Sequence, residues 1–443
     1  MDLHATPSRP PGEDDYLFGP GPAWFAFAMT LGLMVFDYVD RQIIVSLFPY
    51  LKAEWNLSDA QLGALVSVVS ITVALGALPV ALFADRVSRV KSIVAMATVW
   101  SLATISCMFT RGYGGLLAAR AAVGLGEAGY GSVGAAVIAS HFPSRMRGML
   151  LAAFFASASV GSVLGVLLGG VIAAKWGWQA AFGVVGVPGL VLALLYLKVR
   201  DYRTVALTPA LDAKRQSLGQ AARHIVKMLT RAPTILWVCI GGAAQLIVVS
   251  ALWSWLPSYL NRVHGVAPAQ AGIQAALVVL CGAAGSVLWG ALVDRAGTRR
   301  PRRKFATMAL LCIASMAVLV VAFGLGAGAS WQFALIACGG FLATCTVGPV
   351  SAIVIDVVHP GVRATGASVL ALFQNLFGLA AGPFVAGLLS DAWGLVPALT
   401  ATPLFALVAA GAFMLAARSY EADKARAVEP VDAAPLPPGA QPA

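Results

Sequence analysis

Apolar runs of about twenty residues follow one another along nearly the whole chain, broken by short polar or glycine- and proline-containing stretches. A run of about twenty apolar residues is long enough to carry a helix across a bilayer. Twelve such spans can be drawn. The first six begin near Ala23, Asp59, Lys91, Tyr113, Met149 and Trp178, and the second six near Ile235, Ala269, Phe305, Trp331, Thr365 and Val396. The pattern predicts an all-α membrane protein with five parts: a cytoplasmic tail (1–20), a six-helix bundle (21–199), a linker (200–233), a second six-helix bundle (234–418) and a disordered cytoplasmic tail (419–443). In the linker, Leu218, Ala222, Ile225, Val226 and Leu229 make an apolar stripe, with Arg223 and Lys227 off it. That is the pattern of a basic amphipathic helix on a membrane surface, or of a plain solvated linker.

The two sets of spans repeat each other. Gly161, Gly165, Gly170, Trp176 and Gly177 recur as Gly378, Gly382, Gly387, Trp393 and Gly394, each pair 217 residues apart (378 − 161, 394 − 177). Asp85-Arg86 after the second span recurs as Asp294-Arg295 after the eighth, 209 residues on (294 − 85). His141 and His359 close the fourth and tenth spans and read as helix-end structural residues. A duplicated six-helix unit is a transporter architecture that places its substrate site between the halves.

Composition narrows the class further. The 443 residues are 59% hydrophobic and 11% charged, where soluble domains carry about 25% charge. A soluble enzyme is thereby excluded. The net charge of +11 raises a nucleic-acid partner, but its distribution argues for topology instead. With the N-terminus inside, alternate loops hold Arg86, Arg89, Lys91, Arg145, Arg147, the bases of 198–231, Arg295 to Lys304, and Arg363. The opposite loops hold Lys52, Arg111, Lys175 and Arg262. That asymmetry predicts both termini in the cytoplasm, with the chain multi-pass in the plasma (inner) membrane. The first twenty residues lack a signal-peptide pattern, so the first span is read as a membrane helix. Six cysteines fall within apolar spans as packing residues. No cofactor or metal is expected.

Charge inside the spans gathers in two places in the first half, Asp37, Asp40 and Arg41, then Arg120 and Glu127, and the spans of the second half contain almost none. A charged group at bilayer depth costs roughly 2.5–3.5 kcal/mol on the lenient insertion scale, and such groups mark pathways and proton relays. Asp37, Asp40 and Arg41 follow helical spacing and share a face, as do Arg120 and Glu127 two turns apart. Counting about 1.5 Å per residue from the helix ends, Asp40 and Arg41 lie level with Arg120, and Asp37 lies nearer Glu127. The expectation is a coupled network in which Asp40 and Glu127, with Asp37, carry protons. Arg41 and Arg120 would then hold these acids or an anionic head group, whose oxygens suit the planar guanidinium fork.

The loop Ala81-Leu-Phe-Ala-Asp85-Arg86-Val-Ser-Arg89-Val-Lys91 and its repeat Gly290-Ala-Leu-Val-Asp294-Arg295-Ala-Gly297-Thr-Arg299 resemble the signature loop of the major facilitator superfamily. Ala81 and Ser88 depart from that pattern, where glycine is usual. The resemblance implies the major facilitator fold and a cytoplasmic gate at Asp85, Arg86, Arg89, Asp294 and Arg295. Tyr38-Val-Asp40-Arg41, then Arg120 through Gly124, Gly126, Glu127 and Tyr130, and Gly177-Trp-Gln-Ala-Ala-Phe182 resemble the Spinster branch. This likeness adds Tyr38 and Tyr130 to the network and implies a lipid-like cargo of the lysolipid or sphingolipid type. Organic-anion symporters of the same superfamily share similar first- and fourth-helix motifs. Val166 stands where antiporter members usually carry proline.

The second half offers a different wall: Gln245, Trp253, Trp255, Phe341, Phe373, Gln374, Asn375 and Phe377. A charged wall facing an aromatic one suits an amphipathic solute. The expected protein is a monomeric, proton-coupled secondary transporter working by alternating access, with protons, a small-molecule or lipid solute and membrane lipids as its partners and no nucleic acid. A symporter of a small organic acid is the first alternative. A non-transporting receptor or scaffold is the second.

Overall fold

The computed structural model describes residues 15–201, 232–298, 300–325, 330–358 and 363–428, with the side chains of 78, 81–87, 363–365 and 428 outside that description. The linker stripe at Leu218 to Leu229 lies outside the described residues. Among the described residues there are twelve helices long and apolar enough to cross a membrane. The first six are α1 (Pro20–Trp55), α2 (Asp59–Val87), α3 (Arg89–Cys107), α4 (Tyr113–His141), α5 (Ser144–Trp176) and α6 (Trp178–Tyr196). The second six are α7 (Pro233–His264), α8 (Pro268–Gly297), α9 (Pro301–Gly324), α10 (Gln332–Val357), α11 (Gly366–Trp393) and α12 (Leu395–Ala427). Each starts within a few residues of its sequence expectation.

Helix starts and stops follow local chemistry. Pro20, Pro233, Pro268 and Pro301 open their helices, where the missing N–H costs nothing. Ser58 and Gln61 form a capping box ahead of α2. At both bundle-closing joints the helix ends on a left-handed glycine, Gly177 (φ 84°) and Gly394 (φ 89°), a conformation that side chains disfavour.

Six crossings return the linker to the face from which α1 starts, so both chain ends share one face, here the terminal face. The opposite face is the far face. The halves meet along two seams at the far face, and the duplication is visible in each. On one seam, Gly63 of α2 lies against the Pro383 carbonyl of α11, and Gly387 lies against the Asp59 carbonyl and Ala60. On the other, Gly272 of α8 lies against the Val166 carbonyl of α5, and Gly170 lies against Pro268 and Ala269. The paired positions keep the 209- and 217-residue offsets (272 − 63, 383 − 166). No Cβ fits at Gly63, where a carbonyl stands 2.4 Å from its place. Phe48 of α1 stacks on Trp255 of α7, 5.1 Å between centroids, and plugs the centre of the same face. α1 packs on the second half through its 3-10 turn Ile44–Leu47 and the Phe48–Trp55 segment. One apolar cluster accordingly runs through both halves, while a second, around Trp100, Tyr130 and Phe154, belongs to the first half alone.

The last helix corrects one boundary. It runs to Val428, ten residues beyond the predicted end at Arg418 (428 − 418). Asp423 explains the extension: its carboxylate accepts from the Thr234 N–H at 2.9 Å and so caps α7, while Ser419 bonds the Thr234 hydroxyl at 2.8 Å. Asp423→Ala is expected to lower stability by about 1 kcal/mol, the usual worth of an N-cap. A thermal melt in detergent checks this, and an unchanged midpoint would refute the capping role.

Candidate functional site

Glycines bring the charged helices together. Gly126 of α4 rests on the backbone of Trp100 in α3, and Gly124 rests on Val69 and Thr72 of α2. α4 is thereby pressed among its neighbours. It then breaks, with Ala128 extended (ψ 125°) and Gly129 left-handed (φ 81°). Glu127 is the last residue before that break.

The five charged residues meet as two linked clusters. In the first, the Arg41 Nε lies 2.7 Å from Asp37 Oδ1 and 3.0 Å from Glu127 Oε2. Its guanidinium also sits 5.3 Å from the centroid of the Tyr38 ring. The Arg41 side chain keeps 15% of its surface exposed, against 4% for Asp37 and none for Glu127. Phe48, two turns further along the same face of α1, touches the second half. Arg41 therefore lies about two turns inward of the far-face contact.

The second cluster is deeper in the first bundle. The Arg120 Nη1 donates to both Asp40 Oδ1 and the Asp40 carbonyl at 3.1 Å. Its Nε reaches the Leu65 carbonyl at 3.5 Å. Thr104 of α3 donates to the other Asp40 oxygen. Arg120 and Asp40 are both buried, and together they tie α4, α3 and α2 to α1.

Several expected site residues are elsewhere. Tyr130 is buried, and its hydroxyl donates to the Thr30 carbonyl at 2.6 Å. Gln245 donates to Ser315 at 3.2 Å and to the Ala343 carbonyl at 3.0 Å, bracing α7 against α9 and α10 inside the second bundle. Gln245 occupies the place of Asp37 in the repeat (245 − 37 is 208, as for Ala243 and Val35, whose carbonyls face the paired Gly378 and Gly161). The buried Trp255 indole donates to the Pro383 carbonyl at 3.0 Å, which makes it part of the far-face seal rather than a cavity wall. Trp253 is half-buried beside Gly282. Phe341 packs edge-on against Trp289 at 5.2 Å.

Gln374, Asn375 and Phe377 lie on a π-helical turn of α11, Gln374–Leu379. Such turns recur at functional sites. Gln374 and Asn375 are half-buried, and Phe377, 5.4 Å from Phe373, is exposed. At the signature loops, the side chains of Asp85 and Arg86 lie outside the description and Arg89 is half-buried. Asp294 pairs with Lys304 of its own half at 3.1 Å, and Arg295 is exposed. Sequence reasoning missed Thr104, because a threonine in an apolar span carries no signal of its own.

A family model for the Major Facilitator Superfamily matches residues 30–383. An efflux pump of that type from Mycolicibacterium smegmatis is 28% identical over 84% of this chain and 86% of its own length. Protein spinster of Drosophila melanogaster is 25% identical over 83% of this chain and 62% of its own. A benzoate transport protein from Acinetobacter baylyi is 25% identical over 82% and 83%. Among solved structures, a bacterial homolog of the human lysosomal transporter Spinster, inward-facing and unoccupied, superposes with a TM-score of 0.80 at 22% identity, over 91% of this chain and 99% of that one. The family match runs through both bundles and takes in every charged residue of the site, and the chain belongs to the Major Facilitator Superfamily of transporters.

Proposed function

We propose that this transporter moves an amphipathic, lipid-like anion together with protons, by rocking of its two bundles about the site at Arg41. One observation carries the proposal: a partly exposed arginine held between two buried carboxylates. Three carboxylates against two guanidinium groups leave the network one negative charge in excess. Buried net charge is costly, so the balance closes when one proton is held. Both acids approach Arg41 closest at Nε, leaving the outer edge of the fork on offer to a carboxylate or phosphate. An anion docking there competes with Asp37 and Glu127 for Arg41. The displaced acid loses its counter-ion and takes a proton from water. Solute and proton then travel as a unit.

The half-buried amides and exposed phenylalanine of the α11 π-turn supply a surface for an apolar body. The Spinster-branch motifs imply a lipid-like cargo, and Spinster proteins are among the relatives of this chain. Likeness to the benzoate transport protein and the niacin transporter supports the second reading, a small organic acid. The basic residues of the terminal face, including Arg145, Arg147, Arg295 and Arg303, support a cytoplasmic location for both chain ends.

Proteoliposomes loaded with a pH-sensitive dye test both parts. Addition of a lysophospholipid is expected to move protons at a rate that saturates with its concentration, and benzoate is expected to leave the dye signal flat. Proton movement with benzoate alone would replace the lipid reading by the organic-acid one. Solute uptake with no proton movement would end the coupling proposal.

A further inference from the structure

The two far-face seams are copies in backbone and opposites in chemistry. On the α5–α8 seam Pro268 and Ala269 lie against Gly170, which is followed one turn later by Ala173 and Ala174. The same positions on the α2–α11 seam are Asp59 and Ala60 against Ser390 and Asp391, by the offsets 209 (268 − 59) and 217 (391 − 174). There the Asp59 carboxylate accepts from Arg262 of α7 at 2.8 and 2.9 Å, from Ser390 of α11 at 2.5 Å, and from Lys52 of its own half. Asp391 returns the bond across the seam: its two oxygens accept from the backbone N–H groups of Asp59 and Ala60 at 2.7 and 2.8 Å. The start of α2 is thus capped by a side chain of the other bundle.

We propose that Asp59, Arg262, Ser390 and Asp391 form a latch on one seam that holds the far face shut, while the apolar α5–α8 seam closes by shape alone. Opening to the far face must pull Arg262, Ser390 and Asp391 off α2 together, because all three belong to the moving half. The second seam has no charged contact to break at the matching positions. The latch sets how often the far face opens, whichever solute is carried. Lys52 and Arg262 are partly exposed, so salt from the far side reaches it.

The test is a distance measurement across the far face. Spin labels are placed at the exposed Ala53 and Ala267, one in each half, with Cys281 and Cys338 replaced by alanine, and the protein is held in lipid nanodiscs. The unmodified latch is expected to give a mainly short separation. Asp59→Asn and Arg262→Gln are each expected to raise the ratio of long to short separations by roughly tenfold, inside the usual range of conformational coupling. Arg262→Lys restores much of the short population. Ala269→Ser, on the other seam, leaves it unchanged. Raising salt to about 1 M, where the screening length falls to ~3 Å, is expected to shift the wild type in the same direction and needs no variant that might misfold. An unchanged distribution in both latch variants and in high salt would overturn the proposal. An equal shift from Ala269→Ser would do so as well, since the effect would then be general loosening.

Discussion

Glu127→Gln is expected to abolish uptake driven by a pH gradient in proteoliposomes while leaving exchange of solute for solute in place. Glutamine keeps the shape and one acceptor for Arg41 but cannot gain or lose a proton. Glu127 has no exposed side-chain surface and sits at the break in α4, directly under Arg41. Among the described residues it pairs with Arg41, which Asp37 shares. Asp37→Asn is expected to weaken gradient-driven uptake in the same way, because Asp37 shares the same guanidinium. Neither change should lower the melting midpoint much, since each removes charge from a network already in excess by one carboxylate. Full gradient-driven accumulation in both variants would refute the coupling role of this cluster.

Arg120→Leu is expected to have the largest effect on the fold itself. It leaves the Asp40 carboxylate buried without its cation, and breaking one side of a buried pair costs about 3–5 kcal/mol. It also strips hydrogen bonds from the Asp40 and Leu65 carbonyls. Poor recovery of folded protein and a much lower melting midpoint should follow. Asp40→Asn in the same background removes the stranded charge and should recover part of the loss, so a double-mutant cycle gives a large coupling energy. Independent, additive effects would refute the pairing. Asp40→Asn alone separates two roles for Asp40. If the variant melts normally and still accumulates solute on a gradient, Asp40 is a structural partner of Arg120. If accumulation is lost without loss of stability, Asp40 carries protons with Glu127.

Most of the fold was legible because lipid imposes a simple rule. Twelve apolar runs, the 217-residue glycine repeat and the proline and glycine punctuation each depend on one dimension only. The charged network was legible for the same reason: five ionisable groups among apolar neighbours stand out, and helical spacing puts them on shared faces. Which group stays partly exposed was not legible. Spacing makes Asp40 and Arg120 as plausible at the surface of the bundle as Arg41, and only the three-dimensional packing buries the other four while leaving Arg41 partly exposed. The partners of Gln245, Trp255 and Tyr130 were not legible for a related reason. A polar or aromatic side chain in a span signals that it has a partner, not whether that partner is a carbonyl of the next helix or a solute. The far-face latch was hidden in plain view. In sequence Lys52 and Arg262 read as loop charges, and nothing there pairs them with Asp59.

The capped final helix carries one more implication, for how motion in this protein would be recorded. The 33 residues of Leu395–Ala427 make a rod of about 50 Å at 1.5 Å per residue, well beyond the ~30 Å of hydrocarbon it crosses. Its outer turns are fastened to α7 by Asp423 and to α10 through Tyr420 and Asp356. The rod therefore swings with its own bundle and acts as a pointer: tilting by roughly 10° about the far face sweeps its tip by about 9 Å over that length. A fluorophore grafted at that tip, read against one on the opposite bundle, would magnify each stroke of the cycle into a displacement easily timed one molecule at a time.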